Sequence, residues 1–190
     1  MGKGRIEAFT DGVMAIAITI MVLELKVPHG ADFAALRESA PVFLAYVLSF
    51  INVGIFWNNH HHMLHATRQV DGRVLWANLA LLFFMSLVPF VIRWIDEAGM
   101  VAAPVAAYGV VLTGAGVTYT LLQAAIIACN PDSILPKAVG HDWKGKVSIA
   151  GYLAGVVLAF VSPWISIAIY VAVAAIWFIP DRRIERTLAR

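Results

Sequence analysis

The chain has 190 residues, 61% hydrophobic and 14% charged, with a formal net charge of +2. Soluble domains run at about 45–50% apolar and about 25% charged, and a chain this short has too much surface to hide such an excess inside. The composition excludes a soluble globule, and with no Lys/Arg run interleaved with aromatics it gives no sign of nucleic-acid binding.

A membrane helix needs about 20 mainly apolar residues. The first predicted helix covers 5–25 and is stopped by Pro28 and Gly30. It holds Asp11 and Glu24 and lacks a small-residue cleavage site, so it is expected to be retained rather than removed as a signal peptide. The second covers 41–66 and opens on Pro41, favourable in a first turn. Asp71-Gly72 then marks a turn before the third, 74–95, and Gly99 and Pro104 bracket the loop before the fourth, 104–129. Asn130-Pro131-Asp132 is a stop signal. A polar loop with Lys137, His141, Asp142, Lys144 and Lys146 follows. The stretch 147–180 is too long for one span, and Ser162-Pro163 divides it into 147–162 and 164–180. The tail from Asp181 to Arg190 is charged and amphipathic. The expectation is an all-α integral membrane protein, one six-helix domain over 1–190.

Orientation follows from the basic residues. With the N-terminus in the cytoplasm, the inside segments hold Lys3, Arg5, Arg68, Arg73, Lys137, Lys144, Lys146, Arg182, Arg183, Arg186 and Arg190. That is eleven of the 14 Lys/Arg, against Lys26, Arg37 and Arg93 outside. Basic residues concentrate on the cytoplasmic side of membrane proteins, so both termini are expected there, in a multi-pass protein of the cytoplasmic membrane. Most tryptophans stand near segment ends, where interfacial aromatics belong. Trp57 is the exception, well inside the second helix.

Charges in membrane segments are costly and usually face protein or water. Arg5, Glu7, Asp11 and Glu24 sit towards the two ends of the first helix, and helix-dipole complementarity alone could account for Glu7 and Asp11. In Asn58-Asn59-His60-His61-His62-Met63-Leu64-His65, His61 and His65 share a helix face. That spacing could hold two corners of a Zn²⁺ site, yet a structural site needs about four ligands and no Cys or carboxylate cluster supplies the rest. No cofactor is expected. The single Cys129 cannot form an internal disulfide and reads as a small residue of the core or lipid face. G-x-S-x-G, Walker A and G-x-G-x-x-G patterns are absent, so no enzyme is expected. Gly114-Ala115-Gly116 and Gly151-x-x-x-Gly155 suit close helix packing.

The first helix carries Arg5-x-x-x-Phe9-Thr10-Asp11 and, further on, Leu23-Glu24-x-Lys26-Val27-Pro28. Phe56-Trp57-x-x-His60-His61 follows in the second helix, and Asn78 and Ser86-x-x-Pro89-Phe90 in the third. This combination resembles the bacterial branch of the endosomal/lysosomal potassium-channel family, whose first helix opens on R-x-x-x-F-S-D. Thr10 stands in the serine place and keeps the hydroxyl. The motifs cover about half the chain.

The resemblance implies a homotetrameric, potassium-preferring channel for monovalent cations, with the first helix of each copy lining the pore. It implies a constriction made of aliphatic side chains rather than backbone carbonyls, and no T-V-G-Y-G filter segment is present. Carried over by distance from Asp11, the constriction falls on Ile16, Ile20 and Leu23, with Thr19 as the nearby hydroxyl. At about 100° per residue, Ile20 lies about 40° from Ile16, Leu23 about 20° to the other side, and Thr19 about 60° away. Such a stripe could equally pack on helices or lipid; the resemblance favours the pore. Asp11, about 140° from Ile16, should point into neighbouring helices. Arg5, Phe9, Thr10 and Asp11 are then expected to join His61 or His62 and Asn78 in a polar network that fixes the pore helix. A secondary transporter would show matching Gly/Pro-interrupted helices in two halves, which are not evident here. A non-conducting membrane scaffold and a membrane protein with a histidine-bound metal are the remaining alternatives.

Overall fold

Apolar runs broken by Pro, Gly and Asp form eight helices among the residues described, 3–28, 30, 32–140 and 142–178, in a computed structural model. They are α1 (Gly4–Leu23), α2 (Phe33–Glu38), α3 (Ala40–His65), α4 (Gly72–Ala98), α5 (Ala102–Cys129), α6 (Leu135–Val139), α7 (Trp143–Leu158) and α8 (Pro163–Phe178). Four of them, α1, α3, α4 and α5, are long and apolar enough to cross a membrane. At about 1.5 Å per residue, the 16-residue α7 and α8 reach only about 24 Å. Against the expected 147–162, α7 starts and stops four residues earlier. The short α2 and α6 were not expected. His141, residues 179–180 and the tail with Arg182, Arg183, Arg186 and Arg190 lie outside the described residues.

The helix starts have local causes. Asp71, read as part of a turn, caps α4, its carboxylate accepting from the Val74 N–H at 3.0 Å. Asp32 caps α2 through the Ala35 N–H at 3.0 Å, and Asp142 caps α7 through the Gly145 N–H at 3.3 Å. Such caps satisfy orphan donors of a first turn. Asn130 is more than a stop signal. Its carbonyl oxygen accepts from the Arg68 and Gln69 N–H groups at 3.0 and 2.9 Å, and its amide donates to Gln69 O at 3.0 Å. One buried side chain thus pins the α3–α4 connection to the end of α5.

α4 is the centre of one half, packed on α1, α3 and α5; α5 carries α7 and α8 in the other, and α3 also touches α8. In lipid, burying an apolar side chain gains little from leaving water, so close packing and interhelical hydrogen bonds hold helices together. Gly155 and Gly109 make room for the buried Tyr170, and a side chain on either would overlap its ring. Gly114 does the same for Phe84 of α4. Buried Tyr108 of α5 accepts from Ser49 at 3.0 Å and Asn52 at 3.3 Å on α3.

Candidate functional site

α1 is two-faced. Ile6, Thr10, Met14, Ala17 and Met21 recur every three or four residues and are buried, against α4 and α3. The opposite face stays open within one chain: Ile16 is 60% exposed, Ile20 40% and Leu23 76%. Thr19 shares it. The Thr19 hydroxyl donates to the Ala15 carbonyl at 2.8 Å. With its proton committed to the backbone, that oxygen offers only lone pairs outward, which suits a cation and not an anion.

The polar residues divide. On the buried face, the Asn78 amide of α4 donates to the Thr10 hydroxyl at 2.9 Å, and the Asn78 carbonyl oxygen meets His60 Nε2 of α3 at 2.8 Å. All three are buried. The histidine in this chain is His60, not His61 or His62. His61 is exposed and His62 half-buried. The helical period explains the difference, since His60 and His61 stand about 100° apart and only His60 faces α4.

Asp11 accepts from Trp57 Nε1 of α3 at 2.8 Å. This accounts for a tryptophan far from the segment ends, and its position away from the interface was the sequence signal available for it. Arg5 and Phe9 do not join the network. Both are exposed, and both fall within about 20° of Ile16 around the helix, on the open face. Phe9 and Thr10 are neighbours in sequence, so they cannot both point at α4. Arg5 makes no ion pair or hydrogen bond with a described residue. Lys3, not singled out from sequence, donates to the Leu64 and His65 carbonyls at 3.2 and 3.1 Å. It closes the last turn of α3, where a cation is favoured.

The exposed side of α3 carries a ladder of rings: Trp57 stacks on His61 at 6.1 Å, and His61 on His65 at 6.2 Å. Among the described residues, no group of three His, Cys, Asp or Glu comes together to hold a metal ion. At the far end of α1, Arg93 of α4 meets Glu24 at 3.0 Å and Glu97 at 3.1 Å, and Lys26 lies 3.6 Å from Asp96. Both ends of α1 are therefore tied to its neighbours, while its aliphatic stripe is left uncovered.

Comparisons with known proteins agree on one family. The family model described as endosomal/lysosomal potassium channel TMEM175 matches residues 5–89. A protein named potassium channel from Chryseobacterium sp. (strain P1-3) is 50% identical over 189 residues, covering 99% of this chain and 98% of that one. Another so named, from Streptomyces collinus, is 33% identical over 180 residues, covering 87% and 86%. Among solved structures, a lysosomal potassium-selective channel TMEM175 homolog from Chamaesiphon minutus superposes with a TM-score of 0.79 at 26% identity. That match covers 94% of this chain and 97% of the other.

Proposed function

This chain belongs to the TMEM175 family of endosomal/lysosomal potassium channels, and from that premise we propose that it conducts potassium passively, in preference to sodium, through the centre of a homotetramer. The observation that carries the reading is the two-faced α1: one face packed and hydrogen-bonded to α3 and α4, the other an uncovered line of Ile16, Ile20 and Leu23. Four such lines around an axis would cover one another and form stacked apolar rings, which close a pore by excluding water. Thr19, its proton held by Ala15, adds a ring of lone pairs beside them. The chain Thr10–Asn78–His60 and the Asp11–Trp57 bond fix how α1 is rotated, and so which residues face the axis.

In this reading α7 and α8 complete six spans, and both termini lie in the cytoplasm of a bacterial cell membrane. The support is the distribution of Lys and Arg, eleven of 14 on one side.

The test is ion flux into liposomes holding the purified protein, with valinomycin and a proton ionophore as controls. Potassium flux that exceeds sodium flux under matched gradients, and follows the electrochemical gradient without a counter-ion, is the expected result. No flux of either ion from a verified tetramer at several pH values refutes the channel.

A further inference from the structure

Beside the connection between α1 and α2 lies an open cavity of about 540 Å³, lined by Lys26, Glu38, Ser39 and Asp96. A second cavity of about 380 Å³ runs between α3 and α8 and is apolar, lined by residues such as Leu48, Val171 and Ala175. The two share Met100 and Trp164 as lining residues, so a charged chamber continues into an apolar groove. Trp164 is more than half exposed at that junction. Tryptophan settles at the headgroup level of a bilayer, which places the chamber at headgroup depth and the groove among the acyl chains.

The chamber also holds an unmet hydrogen-bonding need. Asp96 has only 12% of its side chain exposed, and its Oδ2 is buried without a hydrogen-bond partner. Its nearest cation, Lys26 Nζ, stands 3.6 Å away, beyond hydrogen-bonding distance. A buried carboxylate oxygen without a donor is costly. Lys26 is 60% exposed, so its flexible stem can turn the ammonium to another anion. The charge pattern is mixed: one ammonium for a phosphate, and the Asp96 and Glu38 carboxylates for a cation that can donate.

We propose that the chamber and groove together hold one zwitterionic aminophospholipid, phosphatidylethanolamine in kind, its ammonium on Asp96, its phosphate on Lys26 and an acyl chain along α3 and α8. Phosphatidylglycerol, anionic and without an amine, lacks the cation for Asp96 and Glu38. Phosphatidylcholine has a cation with no N–H to donate, so the site distinguishes two zwitterionic lipids of the same charge. The inference rests on the membrane placement and not on potassium conduction, and its test reads lipid retention without any flux.

The experiment is native mass spectrometry of the purified channel, delipidated and then given phosphatidylethanolamine, phosphatidylcholine or phosphatidylglycerol with identical acyl chains. The unaltered protein is expected to retain phosphatidylethanolamine about tenfold over phosphatidylcholine, the worth of one charge-assisted hydrogen bond. Asp96→Asn should erase that preference, and Ala175→Trp, which fills the groove, should lower retention of all three lipids. Circular dichroism and oligomer mass verify that each variant is folded. Equal retention of phosphatidylethanolamine and phosphatidylcholine by the unaltered protein overturns the proposal without recourse to any variant. So does a folded Ala175→Trp that retains lipid as before, or an unaltered protein that retains none because a neighbouring copy covers the groove.

Discussion

Asn78→Leu removes both hydrogen bonds of the amide at nearly constant volume, leaving little cavity contribution. Asn78 is 2% exposed, so water cannot replace what is lost. The Thr10 hydroxyl can still donate to the backbone one turn back, and most of the loss therefore falls on the His60 ring nitrogen. An orphaned buried group costs about 1–3 kcal/mol in soluble proteins, while interhelical hydrogen bonds in membranes average about 0.6 and reach about 1.7 kcal/mol. Two bonds of 2.9 and 2.8 Å, one partly recoverable, give an expected loss of about 2 kcal/mol. Reversible unfolding in mixed micelles with rising SDS, followed by tryptophan fluorescence, measures it. Thr10→Val alone and together with Asn78→Leu completes a double-mutant cycle, with an expected coupling of about 0.6–1.7 kcal/mol. A loss below about 0.5 kcal/mol with no coupling would refute the view that this chain of bonds fixes α1.

Ile20→Ala widens the middle of the aliphatic stripe and should raise potassium flux while weakening preference over sodium; unchanged flux and selectivity in Ile16→Ala, Ile20→Ala and Leu23→Ala would remove the pore assignment. Trp57→Phe keeps an aromatic ring but deletes the donor to Asp11; it should lower the SDS midpoint, while the remaining Thr10–Asn78–His60 bonds hold the rotation of α1 and with it the ion preference. Gly155→Val sets a side chain into the Tyr170 ring and should abolish the monodisperse peak in size exclusion, partly recovered by Tyr170→Ala in the same chain. Lys3→Met removes the cation from the C-terminal carbonyls of α3; hydrogen exchange at residues 62–65 should quicken, with a stability change of only about 0.3–1 kcal/mol.

The helical class, with its long apolar helices, was legible in the sequence. Length, apolarity and the punctuation by Pro28, Pro41, Gly99 and Pro163 act locally, and a helix satisfies its own backbone wherever it sits. The α7 start was misplaced because Asp142 caps it from inside a polar loop, a local bond that hydropathy does not register. The 3.6-residue period likewise placed Ile16, Ile20 and Leu23 on one stripe, and the structure leaves that stripe uncovered.

Which polar residues meet could not be read in the same way. Adjacent residues such as His60 and His61, or Phe9 and Thr10, offer the same chemistry to a sequence reading and point about 100° apart on a helix. Only the rotation of each helix against its neighbours selects Thr10, Asn78 and His60 for the interior and leaves Arg5 and Phe9 on the open face. The sequence by itself determined that the chain enters a membrane as helices and which side of α1 is aliphatic, because both depend on side chains spaced along one element. The tertiary structure decided which hydrogen bonds lock that helix in place, because each needs atoms from different helices, 18 to 68 residues apart, to arrive within 3 Å.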